Sequence, residues 1–167
     1  DVALEEVFPT LNAGASIVVR PRELMSATAF SDYVDAAALT VLNIPTAYFH
    51  EWVAGMAEAS LPPPASLRLV VFGGERASIA MVNEWHRLNG GRVRTMNGYG
   101  PTEATITCTA YESTEPTKRE LPIGKPIANM QAYVLDVDKK PVPIGVAADL
   151  YVGGVGLAIG YLGQYEL

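Results

Sequence analysis

One cysteine, Cys108, and two histidines, His50 and His86, stand in the 167 residues. A lone thiol excludes an internal disulfide framework and a cysteine zinc cluster. Two histidines 36 positions apart make a poor metal site. Charge is scarce as well: 18% of residues carry it, and the net value is −6. That acidic balance argues against nucleic acid and against an anionic membrane surface as partners. No apolar run approaches the ~18 residues of a membrane span, and no secretory leader pattern opens the chain. A cytoplasmic protein is the expectation. What the chain has in quantity is hydrophobic side chains, at 49%, enough for a real core. The length suits one domain, or one and a fraction. An amphipathic pattern begins directly at Asp1, and "GYLGQYEL" stops inside a continuing element, so a piece of a larger protein is expected.

Leu4, Val7, Phe8 and Leu11 recur at helical spacing, with Asp1 as N-cap and Asn12-Ala13-Gly14 as the stop. "ASIVVR" reads as a short buried strand ended by Pro21. Thr28 caps a helix through about Ala37. "LTVLNI" is the next strand, closed by Pro45, and a helix with Tyr48, Trp52 and Met56 follows. After the rigid "LPPP" come the strand "LRLVVF", the turn Gly73-Gly74-Glu75, and a helix from Ser78 to about Leu88. "RVRTMN" is a further strand. Strand and helix alternate and the strands are continuously apolar. That predicts an α/β fold, a parallel sheet covered by helices, over residues 1–112. From Ser113 a polar, proline-bearing link leads to hairpin material: "QAYVLDVDKKPVPIG", turning at Asp136–Lys140, and "ADLYVGG". Residues 113–167 are therefore expected to be a linker and the start of a mostly antiparallel β unit.

Ligands of parallel sheets bind beyond the carboxyl ends of the strands. Three stretches fall there: "NIP", "FGGE" and "NGYGPTE". The Walker phosphate loop is absent, and "GGVGLAIG" has the wrong glycine spacing for a dinucleotide fingerprint. In the third stretch Gly98 and Gly100 let backbone approach a flat ligand, and Pro101 stiffens the turn. The Thr102 hydroxyl suits a phosphate oxygen, and Glu103 suits Mg²⁺ or its water. Tyr99 offers a face for a purine and Asn97 an amide for its exocyclic amine. An ordinary turn, with Thr102 capping it and Glu103 solvated, is the competing reading.

"FGGERAS" followed by "NGYGPTEATI" resembles the adenylate-forming enzymes, specifically the amino-acid adenylation domains of nonribosomal peptide synthetases. "DVALEEVFPTLNAGASIVV", "LPIGKPIANMQAYVLD" and "LYVGGVGLAIGYL" extend the resemblance along the whole chain, the last two resembling the start of the family's β-barrel subdomain. The resemblance implies ATP-dependent activation of a carboxylic acid to an acyl-adenylate, with pyrophosphate released. It also implies transfer of the acyl group to the phosphopantetheine of a partner carrier domain, beside condensation domains of a parent synthetase. It assigns Asn97 to the adenine amine, Tyr99 to stacking, and Gly74, Glu75 and Arg76 to the opposite face of the ring. Gly98 and Gly100 shape that nucleotide loop. Thr102 goes to the α-phosphate and Glu103 to Mg²⁺.

The same resemblance implies that Asp1 pairs with a substrate α-ammonium. Val2, Glu5, Asn43, Val71, Gly73, Gly98, Ile106 and Thr107 then line the side-chain pocket. Asp1 and Glu5 share a helix face. A carboxylate at Glu5 and an amide at Asn43, with small Gly73 and Gly98 leaving depth, suit a long side chain ending in donors. Ornithine or N-hydroxyornithine, as in siderophore assembly, is the expected substrate; a solvent-facing Glu5 is the alternative. The family's phosphate loop, its ribose-binding aspartate and its catalytic lysine would lie outside these residues, so part of a site is expected and no turnover by the chain alone. Ile159, Gln164-Tyr165 and Asp149 depart from the family pattern. A fragment of an acyl- or aryl-CoA ligase and a catalytically silent structural subdomain remain the other readings.

Overall fold

The computed structural model describes residues 2–21, 23 and 25–163. Four helices form where the periodicity predicts them: α1 (Val2–Asn12), α2 (Ala27–Ala36), α3 (Thr46–Glu58) and α4 (Ile79–Asn89). The cap of α2 is Ser26 rather than Thr28. Its Oγ accepts the Ala29 N–H at 3.3 Å, while the Thr28 hydroxyl is bonded to Ser26. The α4 helix starts after Ser78 and ends at Gly90, whose φ of 58° is left-handed and brings its N–H to the His86 carbonyl. In α3, Pro45 at the N-cap has φ −57°, the value its ring imposes.

The main sheet has five strands in the order β1 (Val41–Pro45), β2 (Leu69–Gly73), β3 (Arg94–Tyr99), β4 (Thr109–Glu112) and β5 (Lys125–Pro126). The first three are parallel, as expected. The sheet as a whole is mixed, because β4 and β5 run antiparallel. Residues 100–108 are too few for a crossover, which takes about a dozen, so the chain must turn straight back. Nor is the expected strand "ASIVVR" formed: residues 15–20 are exposed and unpaired with any described strand. An apolar run becomes a strand only where a ladder accepts its backbone groups.

Helices α2, α3 and α4 cover one face of this sheet. Leu42, Val70 and Phe72 point into that layer and meet Phe49, Trp52, Val82 and Trp85, all fully or almost fully buried. Phe49 stacks on Phe72 with ring centroids 4.4 Å apart, and Trp52 lies 5.6 Å from Trp85. Both indole N–H groups are satisfied, by Ser31 Oγ at 2.9 Å and Thr95 Oγ1 at 2.7 Å. Each such side chain contributes roughly 1.5–3 kcal/mol by burial, so this layer holds the sheet together. Among the described residues the opposite face has no such cover. In α1 no residue is buried; Leu4, Phe8 and Leu11 are 56%, 65% and 57% exposed.

A second, two-stranded antiparallel sheet pairs β6 (Met130–Leu135) with β7 (Asp149–Gly154). The turn at 136–140 forms, with Asp136 Oδ1 accepting the N–H groups of Asp138 and Lys140 at 2.9 Å. Its return segment makes only the isolated bridge Leu135–Pro141. Pro141 and Pro143 have no N–H to give a ladder.

Candidate functional site

The ladder register aligns the ends of the parallel strands. Pro45, Gly73 and Gly98 stand side by side, and Asn43, Val71 and Met96 form the row behind them. Residues two apart on a strand share a face. Asn43, Val71, Gly73 and Gly98 therefore all lie on the face without the aromatic core, and all four are half-buried. The three stretches "NIP", "FGGE" and "NGYGPTE" converge there.

Close backbone approach explains two of the glycines. A Cβ on Gly73 would lie 2.5 Å from the Gly98 carbonyl oxygen, and one on Gly100 would lie 2.1 Å from that of Ile106. Gly73 thus owes its size to its neighbour rather than to pocket depth. Gly98 is the roomier position, with the Thr107 hydroxyl 3.5 Å from where its Cβ would be. After the 3-10 turn Thr102–Ala104, Thr105 and Ile106 have φ of 54° and 74°. Two β-branched residues in the left-handed region are strained, and the backbone they form brings the Thr107 side chain beside Gly98 of β3.

Glu5 is half-buried, and its Oε2 accepts the Thr107 hydroxyl at 3.1 Å. Two candidate pocket residues 102 positions apart are joined in this way, and Glu5 does not simply turn to solvent. Val2 is 45% exposed at the start of α1. Asp1 lies outside the described residues, as do Gln164 and Tyr165.

The nucleotide candidates divide by environment. Asn97, Gly98 and Tyr99 belong to the end of β3, not to the loop after it. Asn97 consequently points to the helix side, is buried, and donates its amide N–H to the Pro122 carbonyl at 2.9 Å. Tyr99 is 38% exposed. Gly74, with φ 86°, Glu75 and Arg76 are exposed on the turn after β2, and Arg76 pairs with Glu120. Thr102 and Glu103 are exposed on the 3-10 turn, where with Ala158, Ile159, Gly160 and Tyr161 they line a cleft of about 430 Å³. Tyr161 donates its hydroxyl to Glu103 Oε1 at 2.5 Å, and Ala158 N–H bonds the Glu103 carbonyl at 2.7 Å. The Tyr161 hydrogen bond holds the Glu103 carboxyl below its ordinary range and so keeps it charged.

The sequence pattern of the AMP-binding enzymes matches residues 1–162. The chain belongs to the AMP-binding enzyme family. It is 39% identical, over its whole length, to malpibaldin synthetase of Mortierella alpina, and 33% identical to tyrocidine synthase 1 of Brevibacillus parabrevis. It spans 3% and 15% of those proteins. Among solved structures, a nonribosomal peptide synthetase is 27% identical with a TM-score of 0.85, over 98% of this chain and 18% of that one. A second, an NRPS protein containing adenylation and PCP domains, shares the fold at TM-score 0.86 and 23% identity, over 96% of this chain and 32% of that one.

Sequence reasoning missed side chains that hold the candidate residues or the turn that carries them, beyond the Glu120 partner of Arg76. Tyr161 reaches Glu103 from 58 positions away. Thr46 and His50 of α3 reach the turn after β2. Only the position of Thr46, next to the "NIP" stretch, carried a local signal. Among the described residues, no three His, Cys, Asp or Glu side chains gather as a metal cluster, and no helix is long and apolar enough to cross a membrane.

Proposed function

We propose that this chain is part of an adenylation domain that joins an amino acid to AMP and hands it to the phosphopantetheine thiol of a peptidyl carrier domain. A substrate carboxylate oxygen attacks the α-phosphorus of ATP, the new P–O bond forms, and the bond to pyrophosphate breaks. What supports this reading is the register that sets Pro45, Gly73 and Gly98 side by side at the carboxyl ends of the parallel strands, with candidate residues on those strands and on the segments that follow them. Glu5, Asn43, Val71 and Thr107 form an acyl side, and Gly74, Tyr99, Thr102 and Glu103 a nucleotide side.

In this reading Tyr99 stacks on adenine, and Gly74, Glu75 and Arg76 flank the ring. Asn97 acts from the end of β3, the strand that positions the nucleotide side. The Thr102 hydroxyl donates to the α-phosphate. One exposed carboxylate that stays charged, with triphosphate oxygens completing the shell, is a donor set that suits Mg²⁺, which favours one or two carboxylates plus phosphates. Glu103 would hold that ion, and the ion would offset charge developing on the phosphate. Asp1 would meet the α-ammonium. Glu5, held by Thr107, and Asn43 would meet a side chain ending in donors, of the ornithine or N-hydroxyornithine type, which makes siderophore assembly the expected setting. Residues 1–112 form the substrate and nucleotide part, and 113–167 the link and the opening of a second β unit. Turnover needs groups beyond these 167 residues, and the setting is cytoplasmic, beside carrier and condensation domains.

Amino-acid-dependent ATP–pyrophosphate exchange by the complete protein tests this reading, with ornithine, N-hydroxyornithine, lysine, threonine, and aryl and fatty acids. Exchange with an ornithine-type acid, lost in Glu103→Gln, is expected. Exchange only with neutral amino acids would remove Glu5 from specificity. Exchange only with aryl or fatty acids would make the chain part of a ligase. Undiminished exchange in Glu103→Gln and Thr102→Val would leave the motif a packing element.

A further inference from the structure

The turn after β2 is exposed along Gly74, Glu75 and Arg76, yet it is tied from beneath at both ends. Thr46, fully buried at the start of α3, donates its hydroxyl to the Gly73 carbonyl at 2.9 Å and also reaches the Glu75 carbonyl at 3.3 Å. One helical turn later, His50 Nε2 accepts the Ser78 N–H at 3.0 Å. Residues four apart share a helix face, so both groups meet the same segment. We infer that Thr46 and His50 are positioning residues for nucleotide binding, acting through the backbone of residues 73–78. The inference rests on the proposed role of Gly74, Glu75 and Arg76 beside the nucleotide.

Three features carry it. The two contacts use opposite ends of the turn, carbonyls at its start and an N–H at its end, so together they set its height above the sheet. Gly73 lies close against the Gly98 carbonyl, which couples that height to the end of β3 where Tyr99 sits. Gly74 has no heavy atom within 4 Å of where a Cβ would lie, so its outer side is open to a ligand. His50 must present a lone pair at Nε2, which requires the neutral ring. Burial pushes its imidazole below the ordinary range, with the Glu75 carboxylate acting in the opposite sense.

The experiment is steady-state exchange by the complete protein carrying Thr46→Val, Thr46→Ser, His50→Leu or His50→Gln, with unfolding midpoints measured alongside. Loss of either partly buried hydrogen bond is expected to raise KM for ATP about tenfold and to change KM for the amino acid less than about twofold. Thr46→Ser and His50→Gln keep an oxygen or amide in place and are expected to recover most of the ATP KM. A purely structural role lowers the folded fraction, which reduces apparent kcat and leaves both KM values alone. That pattern in an active wild type overturns the inference while the functional reading stands. A wild type that exchanges with no carboxylic acid overturns the reading, and the inference with it.

Discussion

The two faces of the main sheet are built from the same strands and serve opposite ends. Val70 and Phe72 face the helices and are fully buried among aromatic rings, while Val71 and Gly73, interleaved with them, face the other way and are half-buried. Alternation at period two makes this possible within five residues. The helix side supplies the free energy that fixes strand ends in place. In the proposed reading, the open side uses that rigidity to hold Asn43, Gly98 and the Glu5–Thr107 pair, all half-buried, toward a ligand. A site needs groups that are not fully satisfied by the protein's own packing, and it can keep them only beside a layer that is.

The sharpest way to break this contrast is to remove mass from the helix side. Trp85→Ala should cost about 3–5 kcal/mol in chemical denaturation, since it leaves a cavity and strips Thr95 of its indole partner. Val70→Ala should cost about 2 kcal/mol and Val71→Ala about half of that, and equal losses would abolish the distinction between the faces. On the open side, Gly100→Ala forces a Cβ into the Ile106 carbonyl. It should cost about 1–3 kcal/mol and reduce amino-acid-dependent exchange at least about tenfold. Thr107→Val should act more weakly, raising the amino-acid KM about three- to tenfold with little change in KM for ATP, because it frees Glu5.

The smallest effect concerns pH. Burial lowers the pKa of both His50 and His86 from the ordinary 6.5, with Glu75 and Glu115 respectively acting in the opposite sense. In the interval between the lowered native values and 6.5 the unfolded chain binds more protons than the native one, so stability rises with pH there. The histidine contribution is fully present above 6.5 and is lost as pH falls from 6.5 through the native values. Unfolding midpoints measured across that interval should decline on acidification, and His86→Gln should flatten the slope. An unchanged slope in His86→Gln and His50→Gln together would show that both rings protonate freely in the native state.

Some of this architecture is legible in the sequence. The apolar runs ending at Ile44, Phe72 and Asn97 are strands, and the helices follow their periodicity within a residue or two. The candidate residues of the 97–103 stretch were readable too, because glycine, proline, hydroxyl and carboxylate at close spacing are a local signal. Residues 15–20 have the composition of a strand and form none, because pairing is decided elsewhere in the fold. The mixed sheet has the same origin, since direction depends on how far a nine-residue connection reaches. Extension of β3 to Tyr99 depends on pairing with Ala110 and Thr109, and it turns Asn97 toward the core.

Local pattern by itself determined the four helices, the three parallel strands, the family resemblance and the identity of the candidate groups. Each of these depends on spacing within a turn or a strand, which a linear chain states directly. Tertiary structure alone decided which groups meet. Glu5 finds Thr107, Tyr161 finds Glu103, and Thr46 and His50 find the turn after β2, across separations of 102, 58, 27 and 28 residues. Contacts over such distances are selected by packing of the whole core, and no short stretch of sequence contains the information that selects them.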